Sequence, residues 1–146
     1  MRVVTKGYQQ APVKKISGAM ILKKCRGHRK GCFHYDSRAE TDNKNGVVTI
    51  TFAAVIDVEL TLAGAELEDV LKHENQHYAD FKGLVSNLQT NMQRALGLRK
   101  EITGEAELGN WLAWFDYDYC VASANYHRRI GAPVEICLEP NTPRPR

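Results

Sequence analysis

Residues 71–81 read Leu71-Lys72-His73-Glu74-Asn75-Gln76-His77-Tyr78-Ala79-Asp80-Phe81, and the rest of the chain is organised around this stretch. It contains the pattern His-Glu-x-x-His, whose meaning depends on the helix that carries it. Residues four apart lie about one turn apart on the same face of an α-helix. On a helix, His73 and His77 can therefore direct a ring nitrogen at one cation.

Apolar residues continue the helical spacing on both sides of the motif. Steps of three or four residues lead from Val70 through both histidines to further apolar positions, namely Phe81, Leu84, Leu88, Met92 and Ala95. The histidines therefore share the stripe that faces the core. We expect this helix to begin near Gly64 and to run to Leu96, stopping at Gly97.

A cation between the two histidines gives Glu74 a chemical role. Imidazole nitrogens bind Zn²⁺ at about 2.0–2.1 Å, and zinc lowers the pKa of bound water to about 7. A glutamate beside the first histidine can take the proton from that water. The motif therefore predicts a zinc metallopeptidase with Glu74 as general base. The alternative is a non-catalytic metal-binding or protein-interaction domain that carries the same histidines.

A catalytic zinc normally takes a third protein ligand, which this motif does not provide. The longer motif with a glycine and a third histidine is excluded, because Asp80 and Gly83 stand at the two positions concerned. A thermolysin-like site would instead use a downstream glutamate. Glu105 and Glu107 are the candidates of that kind, although both are also suited to the first turn of a helix.

A second helix offers the other candidates for the third ligand. We expect it to start at the N-cap Thr103 and to stop at Gly131. If the two helices form an antiparallel hairpin, the level of His77 is reached about twenty residues into the second helix. At that level Asp118 is our first choice as metal ligand, because it shares a helical face with Trp111, Trp114, Val121 and Asn125, where a carboxylate needs a cation or hydrogen-bond donors. His127 is the second choice.

Two tyrosines of the same helix are candidate donors to the oxyanion that peptide hydrolysis forms. Tyr119 and Tyr126 both lie near the predicted level of the metal. The alternative for each of them is an aromatic side chain that packs in the core.

The residues before the helix predict β-structure. Residues 47–62 alternate between apolar and more polar side chains with a period of two, and Asn45-Gly46 predicts a hairpin turn in front of them. The first strand of the hairpin is expected at Cys32–Tyr35, and a strand as long as the second one is expected to bend or bulge near Ala53-Ala54. The fold class is α+β: a small antiparallel sheet or hairpin followed by two long helices, zincin-like.

The length of 146 residues predicts one domain. We divide the chain into a basic N-terminal arm (1–15), a single zincin-like metallopeptidase domain (16–138) and a disordered tail (139–146). No segment approaches the roughly 18 consecutive apolar residues of a membrane-spanning helix.

Charge is distributed unevenly along the chain. Residues 1–30 carry nine Lys or Arg and no Asp or Glu, within a net charge of +3. Nucleic acid is not the expected partner, because the only aromatic residue of this segment is Tyr8 and no nucleic-acid-binding signature follows. We interpret the basic residues as a solvated face, and we expect a peptide or protein substrate as the partner.

Four cysteines stand at positions 25, 32, 120 and 137, and none forms a Cys-x-x-Cys pair. Cys25 and Cys32 bracket a loop, whereas Cys120 and Cys137 could join the second helix to a short strand expected at Val134–Leu138. Disulfides would suit an exported protein, and free buried thiols are the alternative. Residues 1–6 lack the apolar core of a signal peptide. We expect a secreted or periplasmic protein.

Several of these features occur together in one bacterial family. The chain resembles the predicted secreted zinc-dependent proteases of bacteria, a domain of unknown function, in Ile16-Ser17-Gly18, the β region 47–62, the segment Val70–His77 and the pair Tyr117-Asp118. Members typically follow the last pair with a threonine and a His-Gly, whereas here Val121 replaces the threonine and His127 is displaced. The resemblance implies a metallopeptidase fold and export to the periplasm or the outside.

Overall fold

A computed structural model of the chain describes residues 1–26 and 28–146. The elements in chain order are β1 (Arg2–Lys6), β2 (Val13–Ile16), α1 (Gly18–Lys24), β3 (Gly31–Asp42), β4 (Val47–Glu59), α2 (Gly64–Leu96) and α3 (Ala106–Ile130). Over these residues the fold is mixed α/β, with one small sheet and three helices. No helix in the described part of the chain combines the length and apolar character needed to cross a membrane.

The strand β4 is the centre of the sheet. Along one edge it pairs antiparallel with β3 from Gly31 opposite Val58 to Asp42 opposite Val47. The turn between them ends at Gly46, whose positive φ of 68° suits a glycine, so this hairpin forms where the sequence predicts it. The register is unbroken, and the expected bulge near Ala53-Ala54 does not occur.

The sheet as a whole is not antiparallel, and on this point the prediction was wrong. The second edge of β4 pairs in parallel with β1 along its first half and with β2 along its second half. Two short strands placed end to end thus cover one long strand. The segment α1–β3 carries the chain from β2 to β4, which is the crossover that a parallel pair requires.

The predicted N-terminal arm, residues 1–15, is part of this sheet. The ammonium group of Met1 donates hydrogen bonds to backbone carbonyl oxygens at the end of α2, including Leu96 at 3.1 Å. The amide of Val3 donates to Gln93 Oε1 at 2.8 Å, and the Val3 side chain is buried. The short alternation around Val3 fits one face of the sheet but is too brief to predict a strand.

The core lies between β4 and α2. The side chains that alternate along β4, from Val48 to Val58, pack against Phe81, Val85 and Met92 of α2. Helix α2 has the predicted bounds, and four of its seven buried residues are on the predicted stripe: His77, Phe81, Leu88 and Met92. The other three, Glu74, Val85 and Leu96, each lie one position after a residue of that stripe, so the buried face is rotated slightly from the predicted one. This stripe carries His77 on the same inner side of the helix as the core.

The second long helix starts later than predicted. Its N-cap is Glu105 rather than Thr103, because Gly104 has a φ of 78°, which is outside helical geometry. The end is as expected, with Gly131 in the left-handed conformation at φ 72°.

Both pairs of cysteines are joined. Cys25 is bonded to Cys32, and Cys120 to Cys137, so no free thiol remains in the described part of the chain. Two disulfides suggest an oxidising, extracellular-type environment.

The tail, residues 139–146, was predicted to be disordered. It has no regular secondary structure, but it lies against α3. The indole Nε1 of Trp114 donates to the Thr142 carbonyl at 3.0 Å, and the Arg144 guanidinium lies 4.3 Å from the centre of the Trp114 ring. The tail thus covers the face of α3 that carries Trp114.

Candidate metal centre

Three histidines direct the same ring nitrogen at one point. Helix α2 supplies His73 and His77, whose Nε2 atoms are 3.0 Å apart, and α3 supplies His127. The Nε2 atom of His127 lies 2.9 Å from that of His77 and 3.2 Å from that of His73. These three residues could hold a metal ion.

The spacing of the nitrogens fits a small tetrahedral cation. Ligands at about 2.0–2.1 Å from a tetrahedral metal are roughly 3.3 Å from one another, close to the three observed separations. Each Nε2 atom of a neutral imidazole carries either a proton or a lone pair, so three such atoms cannot all satisfy one another. A cation accepts all three lone pairs, and it leaves a fourth position open.

Burial keeps the imidazoles in the form that binds metals. Burial, followed by the neighbouring histidines His73 and His127, lowers the pKa of His77 to about 3. The pKa of His73 is lowered as well, first by burial and then by His127. A neutral imidazole is the ligand form, so the site needs no proton release from these two rings to bind a cation near pH 7.

Glu74 stands at the edge of the group and is itself buried. Its Oε2 accepts a hydrogen bond of 2.6 Å from the Phe33 amide of β3, and its Oε1 lies 3.5 Å from His73 Nε2. Burial raises the pKa of the Glu74 carboxyl to about 7, and the Phe33 amide limits the rise. One oxygen is therefore fixed by the sheet, while the other faces the histidines.

A cleft of about 460 Å³ opens beside this group. Its lining includes His73 and Glu74 from α2, and Lys30 and Gly31 from the start of β3 and the loop before it. The His28 ring, in the same loop, has its centre 6.4 Å from that of His127. The cleft thus reaches the group of three histidines at His73, and His28 flanks the cleft.

Asp118, the first choice for the third ligand, is not in this group. Its two carboxylate oxygens each accept a 2.8 Å hydrogen bond from Arg144 of the tail. Asp118 and His127 are nine residues apart, which is about two and a half turns, so they point to opposite sides of α3. His127, the second choice, lies at the expected level of α3 and contacts His77, whereas Asp118 lies on the opposite face.

The glutamate alternatives also lie elsewhere. Glu107 accepts a 2.6 Å hydrogen bond from Arg99, and Glu105 is the N-cap of α3. Both stand at the start of α3, far along the chain from His127 near its end.

The two tyrosines have different surroundings. Tyr126 packs on the histidines, with its ring centre 5.1 Å from that of His73 and 5.2 Å from that of His77. Tyr119 belongs to the aromatic core, with its ring centre 5.1 Å from that of Tyr35. Burial raises the pKa of the Tyr119 hydroxyl. Of these two tyrosines, Tyr126 is the one whose ring packs against the group of three histidines.

Two residues near the site were not singled out from the sequence. Glu135 lies behind His127, with Oε2 3.2 Å from His127 Nδ1, and His28 flanks the cleft. A signal for Glu135 was present in the cysteine spacing, because a bond between Cys120 and Cys137 brings residue 135 back towards α3. His28 lies between Cys25 and Cys32 but has no motif around it.

Comparisons with protein-family models, with curated proteins and with solved structures gave no match to this chain.

Proposed function

We propose that this protein is a zinc metallopeptidase of the zincin type, secreted or periplasmic, with His73, His77 and His127 as zinc ligands. The observation that carries the proposal is the convergence of three Nε2 atoms within 3.2 Å of one another, with a buried glutamate beside them. Three nitrogen ligands with an open fourth position are typical of catalytic rather than structural zinc sites.

Zinc in this position would lower the pKa of a water molecule to about 7 and polarise a substrate carbonyl. The chain supplies the remaining chemistry. Glu74 Oε1 is the oxygen available to take a proton, because the Phe33 amide occupies Oε2. A carboxyl group with a pKa of about 7 can accept a proton near neutral pH and return it to a leaving amine.

The environment of Glu74 also keeps it in place. The hydrogen bond to Phe33 joins α2 to β3, so the carboxylate is held by the sheet as well as by its own helix. Reacting groups held on rigid elements lose little entropy when the reaction occurs. Tyr126, packed on both histidines of α2, is the candidate donor to the oxyanion.

A polypeptide is the substrate class that fits the open cleft. The cleft lies between the start of β3 and α2 and is accessible to solvent from one side. The two disulfides agree with function in an oxidising compartment. The resemblance to predicted secreted zinc-dependent proteases supports the same activity.

The test is zinc content together with hydrolysis of a fluorescently labelled unfolded protein by wild type, Glu74→Gln and the exposed-site control Glu68→Gln. We expect one zinc per chain in all three proteins. Turnover should fall by about 10²–10⁴-fold only in Glu74→Gln, because removal of a general base has an effect of that size. Zinc binding without any chelator-sensitive turnover by wild type would instead favour the non-catalytic metal-binding domain.

A further inference from the structure

The chain after α3 returns along the back of the metal ligand His127. It turns at Gly131, where the Ala132 amide donates to the His127 carbonyl at 2.9 Å. Glu135 Oε2 then lies 3.2 Å from His127 Nδ1 and accepts a 3.1 Å hydrogen bond from Ser123 Oγ. Nδ1 is the ring nitrogen that faces away from the three converging Nε2 atoms.

Glu135 Oε2 is the carboxylate oxygen that His127 Nδ1 contacts, although the two atoms form no hydrogen bond. The side chain of His127 is only 5% exposed. At 3.2 Å the two groups are in contact, but the N–H direction is not aligned well enough for a hydrogen bond. Neither Nδ1 nor the buried Oε1 of Glu135 has a hydrogen-bond partner among the described residues. A rotation that aligns the Nδ1–H with Glu135 Oε2, 3.2 Å away, would give Nδ1 its acceptor.

A disulfide holds the returning segment against α3. Cys120, Ser123 and His127 follow one another at helical spacing along one stripe of α3. The segment that returns along this stripe has no regular secondary structure. Cys137, two residues after Glu135, is bonded to Cys120. The disulfide thus holds the segment on the C-terminal side of Glu135, and the turn at Gly131 holds it on the N-terminal side.

We propose that Glu135 is a positioning residue for the metal ligand His127, and that the Cys120–Cys137 disulfide keeps it in place. The inference rests on the zinc site of the proposed function. A carboxylate that accepts the Nδ1 proton fixes the tautomer whose Nε2 lone pair faces the metal, and it raises the basicity of that nitrogen. The C-terminal segment is therefore part of the metal site, although it contributes no ligand.

The test is the zinc affinity of four variants, measured by competition with a chromogenic chelator. Glu135→Gln keeps the shape of the side chain, and the paired Cys120→Ser/Cys137→Ser variant releases the segment. Both should bind zinc about 10–100-fold more weakly than wild type, which is the usual effect of losing an outer partner of a metal ligand. Glu139→Gln, which changes an exposed carboxylate on the same segment, is the matched control and should stay within about twofold of wild type.

A fourth variant separates positioning from general loss of structure. Glu135→Gln combined with Cys120→Ser/Cys137→Ser should bind zinc no more weakly than the serine pair alone, because both changes act through one contact. Urea unfolding of the metal-free proteins should show that Glu135→Gln is as stable as wild type.

The outcomes distinguish this inference from the proposed function. If wild type binds zinc tightly and Glu135→Gln binds it equally well, Glu135 has no positioning role, while the metal site stands. Additive losses in the combined variant would overturn the role of the disulfide. If wild type binds no zinc, the proposed function and this inference both fail.

Discussion

His127 Nε2 lies 2.9 Å from His77 Nε2, although the two residues are fifty positions apart in the chain. The contact joins α2 to α3 at a buried point, and His73 completes the group on its more exposed side. Neither helix alone can form this site. Its geometry depends on how α3 is rotated against α2, and the position of His127 in the group follows from that rotation.

The first prediction separates the two candidate ligands of α3. His127→Ala should weaken zinc binding by more than about 100-fold, because it removes a ligand and not only an outer partner. Asp118→Asn should leave zinc affinity unchanged, because Asp118 pairs with Arg144 on the opposite side of the helix. Isothermal titration with zinc measures both. Equal affinity of wild type and His127→Ala would refute the three-histidine site.

The second prediction concerns the pH dependence of stability at Glu74. The pKa of this carboxyl is raised from 4.5 to about 7 in the folded protein, so between these values the folded state holds a proton that the unfolded state has lost. The contribution of Glu74 to stability therefore falls as pH rises through this window, by at most about 1.4 kcal/mol per pH unit.

Glu74→Gln has no such proton to lose. The free energy of unfolding of Glu74→Gln, relative to that of wild type, should therefore rise from pH 4.5 to pH 7. Urea unfolding of the two metal-free proteins at several pH values checks this, with the exposed-site variant Glu68→Gln as control. A constant difference in unfolding free energy between Glu74→Gln and wild type from pH 4.5 to pH 7 would contradict the raised pKa of the Glu74 carboxyl.

The third prediction concerns the stability of the metal-free protein at acid pH. The pKa of His77 is lowered from 6.5 to about 3, so the unfolded state takes up a proton below pH 6.5 that the folded state does not. The contribution of His77 to the stability of the metal-free protein should therefore fall as pH falls from about 6.5 towards 3. His77→Gln should lose less stability over the same range, as measured by urea unfolding at pH 7 and pH 5. An equal or larger loss in the variant would show that His77 is not responsible.

Helix α2 and strand β4 could be predicted because each carries a long periodic pattern. The stripe from Val70 to Ala95 and the alternation from Val47 to Leu62 extend over many turns or pleats, so packing and local preference agree. Strand β1 could not be predicted in this way. Its five residues have too few alternations, and its pairing with β4 is a long-range contact.

Only the part of the candidate site that lies on one helix could be predicted from the sequence. The helical spacing of His73, Glu74 and His77 places them together without any knowledge of the fold. The expected antiparallel arrangement of the helices gave the level at which α3 meets His77, but not which face of α3 does so. The rotation of α3 is set by buried side chains such as Trp111 and Phe115, and no local pattern reports how they pack against the sheet.

The most direct test is an anomalous difference map collected at the zinc edge from a crystal of the zinc-loaded protein. The account predicts one peak at about 2.0–2.1 Å from the Nε2 atoms of His73, His77 and His127, with Asp118 still paired to Arg144. Absence of a peak between the three rings, or a zinc ion bound by Asp118 in place of His127, would contradict it.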